Sequence, residues 1–151
     1  MTTISVPLLG TTTMTGSTFW RRSRDGDGLG LALHRRHYSH RRYRDGRDPA
    51  LFAHDDDALF VWRKFIDASG QQGVNCAAFR NESPHRASSM ILDAETWARD
   101  RWPGERLYTY VNPRQIRSTN PGYCFKMAGW STCGITKGRR PLVILEKENQ
   151  R

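Results

Sequence analysis

Two polar pairs and a scatter of arginines, serines and tyrosines hold most of the reactive chemistry in this chain. Transfer of a group to an amine needs something to take a proton from the nitrogen, and a donor to stabilise the charge developing on the oxygen or leaving group. His37 suits the first role because an imidazole titrates near neutrality. The competing reading places it, with His34 and His40, on a solvated basic helix end. Their spacing of three spreads the rings over about 120° of a helix, so they do not converge on a metal. Glu82 follows a central strand, where an open sheet splays and a substrate can enter, and Asn81 beside it presents both donor and acceptor. Pairing of Glu82 with Arg80 or Arg86 is the simpler alternative. Arg80, Arg86, Ser88 and Ser89 are the groups available to hold a phosphate. Tyr110 and Tyr123 can stack on a base or fill core, whereas Tyr108 is assigned to the core. Ser118, Thr119 and Asn120 form a polar loop that contacts substrate or caps the helix after it.

These groups need a scaffold, and 151 residues suffice for one domain with a hydrophobic core. The net charge of +9 comes with twenty arginines and only four lysines, a bias suited to bidentate contact with phosphate or carboxylate. Nine arginines against three aspartates lie between Arg21 and Arg47, while the remainder sums to near balance. A surface carrying Arg35, Arg36, Arg41, Arg42, Arg44 and Arg47 is therefore expected to attract a polyanion, with nucleic acid the leading class. Cys76, Cys124 and Cys133 have neither disulfide-framework nor zinc spacing and read as reduced thiols of a cytoplasmic protein. Residues 1–18 are Thr-rich, poor in apolar content and without a basic start, so they read as a disordered leader, with Met14 an alternative start. No stretch is apolar enough to span a membrane.

Along residues 19–151 the periodicities alternate. Strands are expected at Phe19–Arg22, Leu51–Ala53, Ala58–Phe65, Val74–Arg80, Leu107–Val111, Trp130–Thr136 and Leu142–Glu146. Helices are expected at Leu29–Tyr38, from Ser88 or Ser89 through Trp102, and from Pro121 to Gly129. In the second, Ile91, Ala94, Trp97, Ala98 and Trp102 form the apolar stripe. Trp62, Trp97, Trp102 and Trp130 read as packing, and Trp20 is unassigned. The pattern predicts an α/β (α+β) fold with a mixed, mostly antiparallel central sheet, flanking helices and a C-terminal hairpin.

The segment Asn120-Pro121-Gly122-Tyr123-Cys124-Phe125-Lys126-Met127-Ala128-Gly129-Trp130, between a strand and a closing hairpin, resembles the C-terminal half of GNAT acyltransferases, whose corresponding helix ends in Gly-Phe. Arg36-His37-Tyr38-Ser39 resembles the His-Tyr-Ser segment of phage Mom-type DNA-modification proteins. These are GNAT-like proteins that alter an adenine base. The resemblance implies functional roles for His37 and Tyr38, with Ser39 adjoining. Two departures stand out. The turn after the fourth strand, Arg80 to Ser89, lacks the glycines that let backbone N–H groups cradle the pyrophosphate of acyl-CoA. Phe125 also occupies the position where many members place a proton-donating Tyr, leaving Tyr123 or Cys124 as substitutes.

The resulting expectation is a DNA base-modification enzyme of GNAT-like fold. It would act on DNA in the cytoplasm, that of the host cell if the chain is phage-encoded, and use a small acyl donor of unknown identity, with acyl-CoA one candidate. The rivals are an N-acetyltransferase acting on a small amine or protein, and a nucleic-acid-binding module without chemistry.

Overall fold

Tryptophan is too large to bury cheaply unless its indole N–H finds an acceptor, and three tryptophans of this chain find theirs on one helix. The computed structural model describes residues 19–23, 50–55, 58–64, 70–114 and 120–148. Its elements in chain order are β1 (Arg21–Ser23), β2 (Ala50–Asp55), β3 (Ala58–Lys64), β4 (Val74–Asn81), α1 (Ala87–Arg101), β5 (Leu107–Val111), α2 (Tyr123–Met127), β6 (Ser131–Ile135) and β7 (Val143–Lys147). The strands form one sheet in the order β1-β2-β3-β4-β5-β7-β6. Every neighbouring pair is antiparallel except β4 and β5. The expected mixed, mostly antiparallel sheet with a C-terminal hairpin is thus observed. The expected helix Leu29–Tyr38 and the leader lie outside the described residues.

Helix α1 covers one sheet face with the buried residues Met90, Ile91, Ala94, Trp97 and Ala98. The indole of Trp20 donates to the Met90 carbonyl at 2.9 Å and that of Trp62, on β3, to the Ala94 carbonyl at 2.8 Å. Trp130, entering β6, donates at 2.9 Å to the Glu95 carboxylate. Phe19 adds a backbone N–H to Asp93 at 3.0 Å. Each buried indole removes about 200 Å² from water, roughly 4–5 kcal/mol before entropy. The hydrogen bonds add about 1 kcal/mol apiece and fix where along α1 each ring sits. On the other sheet face Leu59, Val61 and Ala78 form a separate buried cluster. Asn75 on that face is buried with its Oδ1 lacking a hydrogen-bond partner.

Glu95 is only 4% exposed. Besides Trp130 it accepts from Lys147 Nζ of β7 at 2.9 Å and from Arg99 at 3.4 Å, while Lys147 also donates to the Ala128 carbonyl at 2.9 Å. One carboxylate therefore joins α1, the end of α2 and the far side of the sheet.

Two helix starts differ from the sequence expectation. Neither Ser88 nor Ser89 caps α1: the N-cap is Arg86, without a side-chain cap, and both serines lie in the first turn. Asn81 and Ser83 organise the approach, so the chain is already turning before the serines. Pro121 does not open α2 either. Asn120-Pro121-Gly122-Tyr123 is a turn closed by Tyr123 N–H to the Asn120 carbonyl at 3.1 Å, with Gly122 at φ 79° and ψ 16°. That is type II geometry, for which Pro then Gly is the favoured central pair. A Cβ at Gly122 would come within 2.6 Å of Leu145 Cδ1.

The C-terminus of α2 explains both Gly129 and Phe125. Gly129 takes φ 95°, its N–H bonds the Lys126 carbonyl at 3.0 Å, and Trp130 N–H bonds the Phe125 carbonyl at 3.0 Å. This is a Schellman stop, which commonly brings the third-last helical residue against the residue after the glycine. Phe125 and Trp130 make that contact edge to face, with centroids 4.8 Å apart.

Replacing Glu95 by Ala removes a shared acceptor, leaving the half-buried Lys147 and the buried Trp130 indole without it. The expected loss is about 3–5 kcal/mol in urea unfolding. Glu95→Gln, which keeps an acceptor for the indole, is expected to lose less. Equal losses would deny the carboxylate its linking role.

Candidate functional site

The two central strands are held together at one end and part at the other. At the closed end Val74 N–H donates to the Arg106 carbonyl at 2.7 Å. The parallel pairing of β4 and β5 then runs only through Val74–Leu107, Asn75–Tyr108 and Cys76–Thr109. Beyond it, β4 continues against β3 to Asn81, and β5 against β7 to Val111.

The cause lies in β4. Its register on β3 jumps from Val61–Ala78 to Trp62–Cys76, so Ala77 is the extra residue of a bulge. A bulge bends its strand and increases the local twist. It also changes which residues face α1: Val74 and Cys76 pack in that core before the bulge, and Phe79 after it. At the parting point Thr109 Oγ1 donates to the Cys76 carbonyl at 2.9 Å. A side-chain hydroxyl thus satisfies a buried carbonyl where regular pairing stops.

On the α1 side the fork is lined by apolar groups. Phe125 is buried against Phe79, ring centroids 6.0 Å apart, and half-buried Cys124 packs on the same core. Burial pushes the thiols of Cys76 and Cys124 up, so both stay neutral S–H groups at physiological pH. Tyr123 is 54% exposed. On the opposite face strand alternation places Arg80 and Tyr110. Tyr110 is half-buried, with its ring edge-on to the fully buried Tyr108 at 5.8 Å.

The loop from β4 into α1 is shaped by its own side chains. Asn81 Oδ1 accepts from Ser83 N–H at 2.9 Å, Asn81 Nδ2 donates to the His85 carbonyl at 2.9 Å, and Ser83 Oγ accepts from His85 N–H at 3.2 Å. The Asn81 and Ser83 side chains thus occupy the Ser83 and His85 amides in a loop that contains no glycine. The first amides of α1 have no partner within the helix. Arg86 is exposed beside them and Ser88 and Ser89 are half-buried. Glu82 forms an ion pair with Arg80, the simpler of the two expectations for it. The proposed site residues Arg80, Asn81, Glu82, Arg86, Ser88 and Ser89 thus gather at the carboxyl end of β4. Asn120 lies in the turn before α2, where its Oδ1 accepts from Lys126 Nζ at 2.6 Å.

His37, Tyr38, Ser39, Ser118 and the arginines at 35, 36, 41, 42, 44 and 47 lie outside the described residues. Sequence reasoning missed the bulge, Thr109 at the fork and Ser83 in the loop. The repeated Ala77-Ala78, where apolar positions shift from Val74 and Cys76 to Phe79, was the available signal for the bulge. Among the described residues no helix is long and apolar enough to cross a membrane. No protein-family model, curated protein or solved structure matches this chain.

The thiol environments give a direct check. Cys133 is exposed on β6, Cys124 is half-buried and Cys76 is buried. Alkylation at pH 8 followed by peptide mass mapping is expected to label Cys133 first, Cys124 more slowly, and Cys76 only on unfolding. Early labelling of Cys76 would contradict the closed apolar side of the fork.

Proposed function

We propose that this chain is a DNA base-modification enzyme of GNAT-like fold, moving a small acyl-type group onto a base amine. The observation that supports it most is the parting of β4 and β5 after Cys76 and Thr109. It leaves a fork at the carboxyl ends of two parallel central strands, a preferred place for ligands in open sheets containing such strands. In this reading an anionic donor lies at the mouth of the fork. Arg86, Ser88 and Ser89 hold it with the first turn of α1, whose free amides and dipole favour negative charge.

The amine nitrogen attacks the donor's carbonyl carbon, its proton passes to His37, and the leaving group departs with a proton from a neutral donor. Phe125 has no proton to give. Tyr123, exposed on α2, and Cys124, packed beside Phe125 on the core, are the neighbouring groups that carry a proton. Glu82, held by Arg80, and Asn81 border the site, with Tyr110 across the fork as a stacking surface for the base. Tyr38, Ser39 and Ser118 are assigned to the substrate side, as is Asn120 before α2. The basic surface from Arg35 to Arg47 holds the DNA. An ordinary acetyl-CoA enzyme is disfavoured by the loop amides that Asn81 and Ser83 occupy, and by Phe125.

Nucleoside mass spectrometry on DNA from cells expressing the full chain is expected to reveal a new base. The His37→Ala variant should lower its yield at least about a hundredfold, the usual scale for a lost general base. DNA binding without any new base would assign the chain to the non-catalytic class. A normal yield from His37→Ala would remove His37 from the mechanism.

A further inference from the structure

The charge balance outside the N-terminal arginines holds only in sum. Between Glu105 and Glu146 the sequence contains no Asp or Glu, yet it carries Arg106, Arg114, Arg117, Lys126, Lys137, Arg139 and Arg140. Four of these meet at one place. The turn joining β6 to β7 contains Lys137, Arg139 and Arg140, all exposed, and Arg114 lies just past the end of β5. Register puts them together, because Val111, the last residue of β5, pairs with Val143 of β7, which pairs with Ile135 of β6. Arg114 Nη1 donates to the Pro141 carbonyl at 2.9 Å, tying the two loops. Thr136 N–H to the Leu142 carbonyl at 2.9 Å, and Leu142 N–H to Thr136 Oγ1 at 2.8 Å, close the base of the turn. The cations therefore stand on a braced turn.

None of these four cations has a carboxylate partner among the described residues. Arg80, at the same end of the sheet, is paired with Glu82, and cations at the opposite end are paired as well. There Glu105 is paired with Lys64 at 3.1 Å, and Glu146 with Arg106 at 2.6 Å. Because β4 and β5 are parallel, these four cations sit at the end of the sheet where the fork opens, the end from which the loop carrying Arg86 also leaves. Three of the four are arginines, whose planar fork matches phosphate oxygens bidentately.

We infer that the β6–β7 turn, with Arg114, is a phosphate-binding arm that holds duplex DNA across the mouth of the fork. This deepens the reading of the fork as the modification site, but it rests on a separate observation, the lack of a carboxylate partner for these four cations among the described residues. The arm and the N-terminal basic segment would then contact the same duplex, and the arm's share of binding is separable by mutation.

The test is fluorescence anisotropy of a short labelled DNA duplex with the full chain over a series of salt concentrations. Counterion release gives a slope of about 0.9 in log K against log salt for each phosphate contacted. The triple variant Lys137→Ala/Arg139→Ala/Arg140→Ala is expected to reduce that slope by about 2–3 and to weaken binding at least tenfold at about 0.1 M salt. The charge-preserving variant Arg139→Lys/Arg140→Lys should retain the slope, and Arg101→Ala, on α1, should leave it unchanged. An unaltered slope in the triple variant, absence of DNA binding by the native chain, or a preference for phosphatidylserine vesicles over DNA would overturn the inference. If the slope falls as expected while cellular DNA shows no new base, the arm stands and the modification reading falls.

Discussion

The structure depends on one helix being held at a fixed height over a sheet whose strands come from distant parts of the chain. Hydrophobic burial of Met90, Ile91, Ala94, Trp97 and Ala98 is non-directional and by itself leaves the height of α1 free. The indole donors of Trp20, Trp62 and Trp130 remove that freedom, because each must meet a particular acceptor on Met90, Ala94 or Glu95. Glu95 extends the constraint through Lys147 to β7. A charge so well buried is tolerated because several donors surround it, and its effect is to make α1, the end of α2 and the hairpin a single mechanical unit.

With α1 fixed, the bulge at Ala77 has a definite outcome. The strand carrying it must leave β5, yet its end is fastened to the helix through the Asn81–Ser83–His85 loop. The result is an opening between parallel strands, apolar toward α1 where Phe125 and Phe79 meet, and bordered by Arg80 and Tyr110 on the other face. Phe125 thus answers to the helix stop and the core together. A tyrosine there would have to bury its hydroxyl in the same contact.

Much of this was legible in the sequence where local pattern and tertiary demand coincide. The strand Leu107–Val111 alternates cleanly, and the stripe of Ile91, Ala94, Trp97 and Ala98 leaves little choice about the buried side of α1. Gly129-Trp130 marked a helix end correctly because the Schellman stop is a local motif. Pro121-Gly122 was ambiguous, since Pro begins helices and type II turns alike. Gly122, in the left-handed region and against Leu145, decided for the turn. Glu95 was not legible: it borders the apolar stripe, and Lys147 is distant in sequence. The bulge left a trace in Ala77-Ala78, but only pairing with β3 turns an irregular alternation into a fork. The uneven distribution of charge was also present in the sequence, where carboxylates elsewhere offset the run of cations between Glu105 and Glu146.

The central claim is that the end of the sheet where β4 and β5 part is the working end of the molecule. Hydrogen–deuterium exchange of the full chain, with and without a short DNA duplex, tests it most directly. The account predicts slower exchange on binding in residues 80–89, 112–114 and 136–142, with little change at 104–106 and 146–148. Protection confined to the latter segments, at the end where Glu105 and Glu146 lie, would contradict it.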